Sequence, residues 1–322
     1  MKAFVTGATG FVGGHLVAAL RSRGDEVTAL VRTPSRATAL SALGATLVQG
    51  DIRSARSLAD SMAGHDVVFH VAGLIAARNE AEFLAVNREG TGVMLEAAAR
   101  AGHPRFILVS SLAAGGPTSP GVRLVGTEPG APVTQYGRSK LAGEELVRAS
   151  ELPWTIIRPP AVYGPGDREM FRIFKAASVG FAPVFGRGEQ QLSVVYGPDL
   201  VDALIAAALT PETIGQVYYA CHQEVLTTGN MVRLAGEAVG RRVRVIGIPQ
   251  PIGKALLTIT DRTARLAGRA TVLSYDKTAE FFAPAWLADS APFEAATGWS
   301  ARHDFASGAR ATVAWYRQQG WL

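Results

Sequence analysis

Tyr136 and Lys140 stand four residues apart in "QYGRSKLAGEEL", and Ser110 and Ser111 close the run "FILVSS" upstream of them. These are the groups in the chain best suited to move a proton beside a carbonyl. A phenol with its usual pKa of about 10 is a poor acid–base at neutral pH. A neighbouring ammonium, together with the positive charge of an oxidised nicotinamide, favours the phenolate and is expected to draw the Tyr136 pKa down toward the working range. On a helix, a spacing of four puts both side chains on one face. A hydroxyl at the carboxyl end of a central strand sits where ligands bind in open α/β sheets. There Ser111 can donate to a carbonyl oxygen and steady the charge that develops on it, while Ser110 is expected to pack or hydrogen-bond alongside.

Such chemistry needs a hydride partner, and the N-terminus offers a place for one. In "FVTGATGFVGGHLVAAL" a strand ends at Thr6, Gly7, Gly10 and Gly13 follow, and an amphipathic helix begins. This is the layout of a dinucleotide fingerprint. The first glycine permits a tight turn, the second lets the backbone approach a pyrophosphate, and the third lets helix pack on strand. The helix N-terminus presents free N–H groups to the phosphates. A carboxylate at the end of the second strand would take the ribose hydroxyls of NAD, but "EVTALVR" ends in Arg32, with Arg36 close behind. A guanidinium suits a 2′-phosphate, so NADP is favoured over NAD; a second role for Arg32, stacking on the adenine, fits either cofactor. Asp51 in "VQGDIR" suits the adenine amino group or the N-cap of the next helix.

Up to residue 158 short β-rich runs alternate with longer Ala/Leu-rich stretches. Strands are expected at 2–6, 26–31, 46–49, 67–70, 105–110 and 154–158, and helices at 11–23, 55–62, 80–101 and 132–150. Several strands are apolar on both faces, as buried parallel strands are. The fold class is therefore α/β: a doubly wound parallel (Rossmann) sheet with a smaller C-terminal portion. The dinucleotide-binding domain is assigned to 1–160, with 191–220 returning to it, and the substrate-binding portion to 161–190 and 221–322.

Composition narrows the remaining choices. The 322 residues, 48% of them apolar, suffice for a large core. The net charge of +5 comes from scattered Lys and Arg, and the densest cluster, "RRVRV" from Arg241, alternates like a strand with one wet face. A small anionic ligand fits that pattern and nucleic acid does not. One cysteine, Cys221, rules out an internal disulfide and fits a reducing cytoplasm. The six histidines lack ligand spacing, so no metal is expected. No apolar run reaches the roughly 20 residues of a membrane span.

Taken in order, "TGATGFVGG", "GDI", "HVAG", "VNREGT", "VSS", "YGRSK" and "RPPAVYGPGD" resemble the extended short-chain dehydrogenase/reductase family, which includes nucleotide-sugar epimerases and dehydratases. The resemblance spans nearly the whole chain. It implies a Ser111–Tyr136–Lys140 triad: Tyr136 as acid–base, Lys140 on the nicotinamide ribose, and Ser111 on the substrate oxygen. It also implies that Gly7, Thr9, Gly10, Phe11, Val12, Arg32, Asp51, Ile52, Ala72, Gly73, Pro159 and Val162 line the cofactor, together with Tyr136 and Lys140. Asn87 would be a structural or relay residue, and the chain a homodimer through a bundle that includes the Tyr/Lys helix.

Sugar-nucleotide members carry a diphosphate-gripping arginine in a segment where this chain has "QQLSVVYGPDL", with Leu192 in its place. Arg168, Arg172, Lys175 and Arg187 are possible substitutes. Phe171, Phe174, Phe181 and Phe185 either line an apolar pocket or fill the core of the small portion. The profile is similar to hydroxysteroid dehydrogenases and dihydroflavonol reductases. Hydride transfer between a nicotinamide and a secondary alcohol or ketone of an apolar, sterol- or flavonoid-like substrate is the resulting expectation. A nucleotide-sugar epimerase or dehydratase is the alternative, and a non-catalytic dinucleotide sensor the third reading. The amphipathic stretch 251–268 would cap the pocket, touch a membrane surface, or simply pack.

Overall fold

The computed structural model describes residues 1–54 and 58–322. Seven strands form one sheet: β1 (Lys2–Thr6), β2 (Glu26–Val31), β3 (Thr46–Gln49), β4 (Val67–His70), β5 (Arg105–Val109), β6 (Trp154–Arg158) and β7 (Gln216–Tyr219). Their order is β7-β6-β5-β4-β1-β2-β3, and every pairing is parallel. Alternation along the strands divides the core. Phe4, Leu30, Val68, Phe106, Leu108 and Ile156 face one layer, with Leu95 of the helix Glu89–Arg100 and Val147 of the helix Gln135–Arg148. Val5, Ala29, Phe69, Ile107 and Ile157 face the other, with Leu16 of the helix Phe11–Ser22 and Leu204 of the helix Gly197–Leu209. The strand order reverses at β1 and β4, which opens a crevice at their carboxyl ends.

Local differences from the sequence expectation have visible causes. The strand expected through Ser110 stops at Val109, because the Ser111 hydroxyl accepts from the Ala113 amide and caps a short helix, Leu112–Gly115. The single helix expected over 80–101 is two, Glu80–Asn87 and Glu89–Arg100. At the break the Thr91 hydroxyl donates to the Asn87 carbonyl, a back-bond that bends helices. Gly143 packs so closely on that carbonyl that a Cβ would lie 2.4 Å from it. The helix expected over 55–62 is described from Leu58 to Met62, and its first three residues lie outside the described ones.

Beyond β6 the chain builds smaller units. Ala161–Tyr163 pairs with Val194–Tyr196, Gln191–Leu192 lies between Leu226–Thr227 and Ala285–Trp286, and Phe181–Phe185 pairs with Arg244–Ile248. Only the end of the "RRVRV" cluster is strand. Phe174 is fully buried against Phe305 and Tyr316, and Phe171 packs edge-on to Tyr316 and Trp321, so both belong to the core around the last helix, Phe305–Gln318. Phe185 stacks on Phe281, whereas Phe181 is exposed. Among the described residues, no helix is long and apolar enough to cross a membrane.

Candidate active site

The glycine turn sits at the mouth of the crevice. Gly7 has a φ of +68°, and a Cβ there would lie 2.7 Å from the Ala72 amide, so the turn and the loop after β4 close on each other through a missing side chain. The Thr6 hydroxyl accepts from the same Ala72 amide at 3.2 Å. Gly13 meets the turn from the helix side, where a Cβ would fall 2.2 Å from the Gly7 carbonyl. Gly10 is the N-cap of the helix Phe11–Ser22, and neither a capping side chain nor an acid claims that helix's first turn. The amides of Phe11, Val12 and Gly13 therefore remain for an anion, which is the cradle a pyrophosphate needs. Thr9 is exposed beside them. The Phe11 ring packs back against Gly197 and edge-on to His15, whose Nε2 bonds the Pro165 carbonyl at 2.7 Å.

Arg32 is exposed at the end of β2 and near enough to Asp51 for its charge to favour the carboxylate. Asp51 is gripped more directly by Arg53, with bonds of 3.0 and 2.9 Å from the guanidinium and one of 2.9 Å from the Arg53 amide. These bonds bring its pKa down to about 2. Asp51 thus caps the turn after β3, and the Ile52 side chain packs on Gly90.

The helix Gln135–Arg148 carries Tyr136 and Lys140. Its start is set by the Thr134 hydroxyl, which accepts from the Gly137 amide at 3.1 Å, and by the Asp276 carboxylate, which accepts from the Gln135 amide at 2.9 Å. The structure brings the three triad candidates together. The Ser111 hydroxyl stands near enough to the Tyr136 phenol to lower its pKa. Lys140 is buried, and its Nζ donates to the Val109 carbonyl at 2.7 Å. A Cβ on Gly73 would lie 3.5 Å from that Nζ and 3.1 Å from Oδ1 of Asn87, so the loop lies directly over the ammonium. Asn87 pins this loop by exchanging bonds with Leu74 (2.8 and 3.0 Å) and ties it to the helix through Ser139 at 2.9 Å. The Pro159 carbonyl accepts from the Leu112 amide at 2.8 Å, fixing the end of β6 beside Ser111, and Val162 follows on the next short strand.

The protein's own groups hold the Tyr136 pKa up, at about 12: burial raises it, and Glu280 adds to this, against a lowering by the Ser111 hydroxyl. Lys140 does not reverse this, since its own burial pulls it down to about 8 against the opposing charge of Glu144.

Three groups carried no clear sequence signal. Glu144 is fully buried and accepts from the Arg158 guanidinium at 2.8 and 2.7 Å and from the Ser110 hydroxyl at 2.5 Å. Ser110 therefore serves this buried pair instead of standing free beside Ser111. Arg158 also reaches the Tyr219 hydroxyl at 3.0 Å. His70 bridges the hydroxyls of Thr6 (2.9 Å) and Thr91 (3.1 Å), and burial holds its pKa down at about 3, so it stays neutral. Third, Lys277 stands over the Tyr136 ring, 4.9 Å from its centre, and is paired with Glu280 at 2.6 Å. A residue four positions after Lys140 and a basic strand end were readable, but their pairing depends on the register of β6 beneath the helix. Beyond Lys277 a cleft of about 610 Å³ opens, lined by Gln135, Lys254, Asp261, Arg265, Tyr275 and Phe282 among others.

The sequence pattern of the NAD dependent epimerase/dehydratase family matches residues 3–221. The ceramide reductase of Caulobacter vibrioides is 35% identical over 320 residues, covering 99% of this chain and 95% of that protein. A 3 beta-hydroxysteroid dehydrogenase/Delta 5-->4-isomerase of Mycobacterium tuberculosis is 31% identical over 80% of this chain and 74% of its own length. Among solved structures, MoeE5 in complex with UDP-glucose and NAD superposes with a TM-score of 0.78 at 26% identity, over 99% of both chains. With the glycine turn, the crevice and these relatives in view, the chain belongs to the NAD dependent epimerase/dehydratase family and is an NAD(P)-dependent dehydrogenase/reductase of the extended short-chain type.

Proposed function

We propose that the protein interconverts a secondary alcohol and its ketone on an apolar, lipid-like substrate, with Ser111, Tyr136 and Lys140 as the working residues and NADP(H) preferred over NAD(H). The observation that carries this reading is the assembly at the crevice: the Ser111 hydroxyl close enough to act on the Tyr136 phenol, and Lys140 buried one helical turn on beneath the Gly73 loop. The turn amides of residues 11–13 would hold the pyrophosphate, Arg32 the 2′-phosphate, and Lys140 the nicotinamide ribose. Bound there, the nicotinamide supplies or accepts the hydride. Tyr136 gives its proton to the substrate oxygen in reduction and takes it back in oxidation, while Ser111 donates to the same oxygen. A phenol with a pKa of about 12 is ready to donate at neutral pH. As a base it needs a positive charge beside it.

The substrate class rests on Leu192 and on the names of the relatives. Leu192 packs into the apolar clusters that hold Leu226 and Trp286. Of the four possible replacement cations, Arg168 lies over the Trp321 ring and Arg172 pairs with Glu169, both exposed. Ceramide and steroid relatives act, by their names, on large apolar molecules. The test mixes the protein with NADPH or NADH and long-chain or steroidal ketones, and follows loss of the reduced-nicotinamide absorbance. Oxidation of NADPH on such ketones, with UDP-glucose left unchanged, supports the reading. Conversion of UDP-glucose to its C4 epimer with no net change in nicotinamide makes the protein an epimerase instead. A homodimer through the helix Gln135–Arg148 and a cytoplasmic setting are part of the same proposal; light scattering checks the first.

A further inference from the structure

The helix Gln250–Leu266 is apolar on two sides. Gly253 and Leu257 are buried, and Gly253 is pressed so closely on Phe282 and Phe185 that a Cβ would lie 2.5 and 3.0 Å from their rings. A helix that only packs on its own protein needs that stripe and no other. Here Ile252, Leu256, Ile259 and Leu266 recur at intervals of four, three and seven on the opposite face, and all are exposed, Ile259 by 61% and Leu266 by 88%. The strand pair beside the helix continues the apolar surface: Phe181 and Ile246 are exposed on Phe181–Phe185 and Arg244–Ile248.

Arg262 lies beside the stripe, three residues after Ile259 and four before Leu266 on the helix, and the surrounding sequence is basic. From Arg241 to Arg269 the sequence holds seven Arg or Lys and one acid, Asp261, which Arg265 already pairs at 3.0 Å. The excess of positive charge in these 29 residues exceeds the net charge of the whole chain. We propose that this face, the outer stripe of the helix Gln250–Leu266 with Arg262 and Arg269 beside it, rests on an anionic lipid surface. Apolar side chains enter the headgroup boundary while Arg and Lys meet lipid phosphates, the usual division of labour in an interfacial helix. A second copy of the chain is the poorer occupant, because a two-fold contact would set the same cations against each other. The inner edge of this helix lines the cleft next to Gln135 through Lys254, Asp261 and Arg265, so an apolar substrate would leave the bilayer close to Tyr136. That last step rests on the proposed function; the docking itself does not.

The probe is the purified protein spun with vesicles of phosphatidylcholine, with or without one third phosphatidylglycerol. The protein should sediment with the anionic vesicles about tenfold more strongly than with the neutral ones, and should be released at about 0.5 M salt. The double variant I259E/L266E should lose the anionic binding while keeping wild-type affinity for NADPH. R262E/R269E, which keeps the apolar stripe, should also lose it. The proposal fails if the wild type stays in the supernatant, or if both variants bind as it does. It fails equally if light scattering shows a dimer that I259E/L266E turns into monomers. Turnover of a water-soluble ketone by both variants separates this outcome from failure of the proposed reaction.

Discussion

The floor of the site and its roof handle water in opposite ways. In the floor, formed by β5, β6 and the helix Gln135–Arg148, charge is buried and matched: Glu144 and Arg158 are both fully enclosed and joined by two bonds, and Lys140 rests on a strand carbonyl. The roof, formed by 250–283, keeps its ion pair of Lys277 and Glu280 partly open and turns a row of Ile and Leu outward. A buried pair is costly to break and holds one geometry, whereas a part-exposed pair is worth little and can be rearranged. The contrast teaches that the atoms that react are fixed by the sheet, while the groups that select a substrate sit on the part of the molecule with less to lose by moving.

The floor is the place to break first. Tyr136→Phe removes the proton donor and little else, so kcat should fall by about 10³ or more while the Kd for NADPH stays within about twofold. Steady-state turnover and fluorescence titration of the nucleotide read the two effects, and a variant with ordinary kcat would take Tyr136 out of the mechanism. Glu144→Leu leaves the Arg158 guanidinium uncompensated at zero exposure and should cost about 3–5 kcal/mol in denaturant unfolding. The equivalent cut in the roof, Lys277→Met, should cost less than about 1 kcal/mol. If the two costs were equal, the comparison between floor and roof would be wrong. Arg32→Ala should weaken NADP binding by about tenfold to a hundredfold, the worth of a charge-assisted bond, with NAD binding nearly unchanged. Equal losses for both nucleotides would leave Arg32 only stacking on the adenine.

How far the sequence could be read divides along the same line. Six of the seven strands, the return of 217–220 to the same sheet as the seventh, and the Tyr/Lys helix were legible because a βα repeat repeats its pattern: buried apolar runs, glycine at the turn, and an apolar stripe at helical spacing. The ends of elements were less so, since they depend on contacts across the fold. The Thr134 hydroxyl and the Asp276 carboxylate set the start of the Tyr/Lys helix, the latter from 141 residues away. The break at Asn87 needs Thr91 and the approach of Gly143. The groups that act on the Tyr136 pKa within the protein were not legible, because besides burial they are Ser111, from the cap after β5, and Glu280, from the roof. Spacing alone cannot say which of two nearby charges faces the ring.

That gives the smallest and most specific test of how roof and floor communicate. Glu280 raises the Tyr136 pKa through its negative charge. A raised pKa means that the phenolate required for alcohol oxidation appears only at higher pH, so oxidation should increase with pH and its alkaline limb should reflect this residue. Glu280→Gln takes away one negative charge and keeps the size of the side chain. The Tyr136 pKa should therefore fall, and the limb should move toward lower pH by a fraction of a unit, the scale expected for one charge across a partly solvated gap. Ketone reduction, which uses the protonated phenol, should keep its rate at neutral pH. The same substitution frees Lys277, whose ammonium already lies over the ring and favours the phenolate, so both consequences push in one direction. A pH–rate profile of oxidation for wild type and variant decides the matter. A limb that stays in place or moves to higher pH would mean that the roof does not set the proton affinity of Tyr136, and that the floor does so alone.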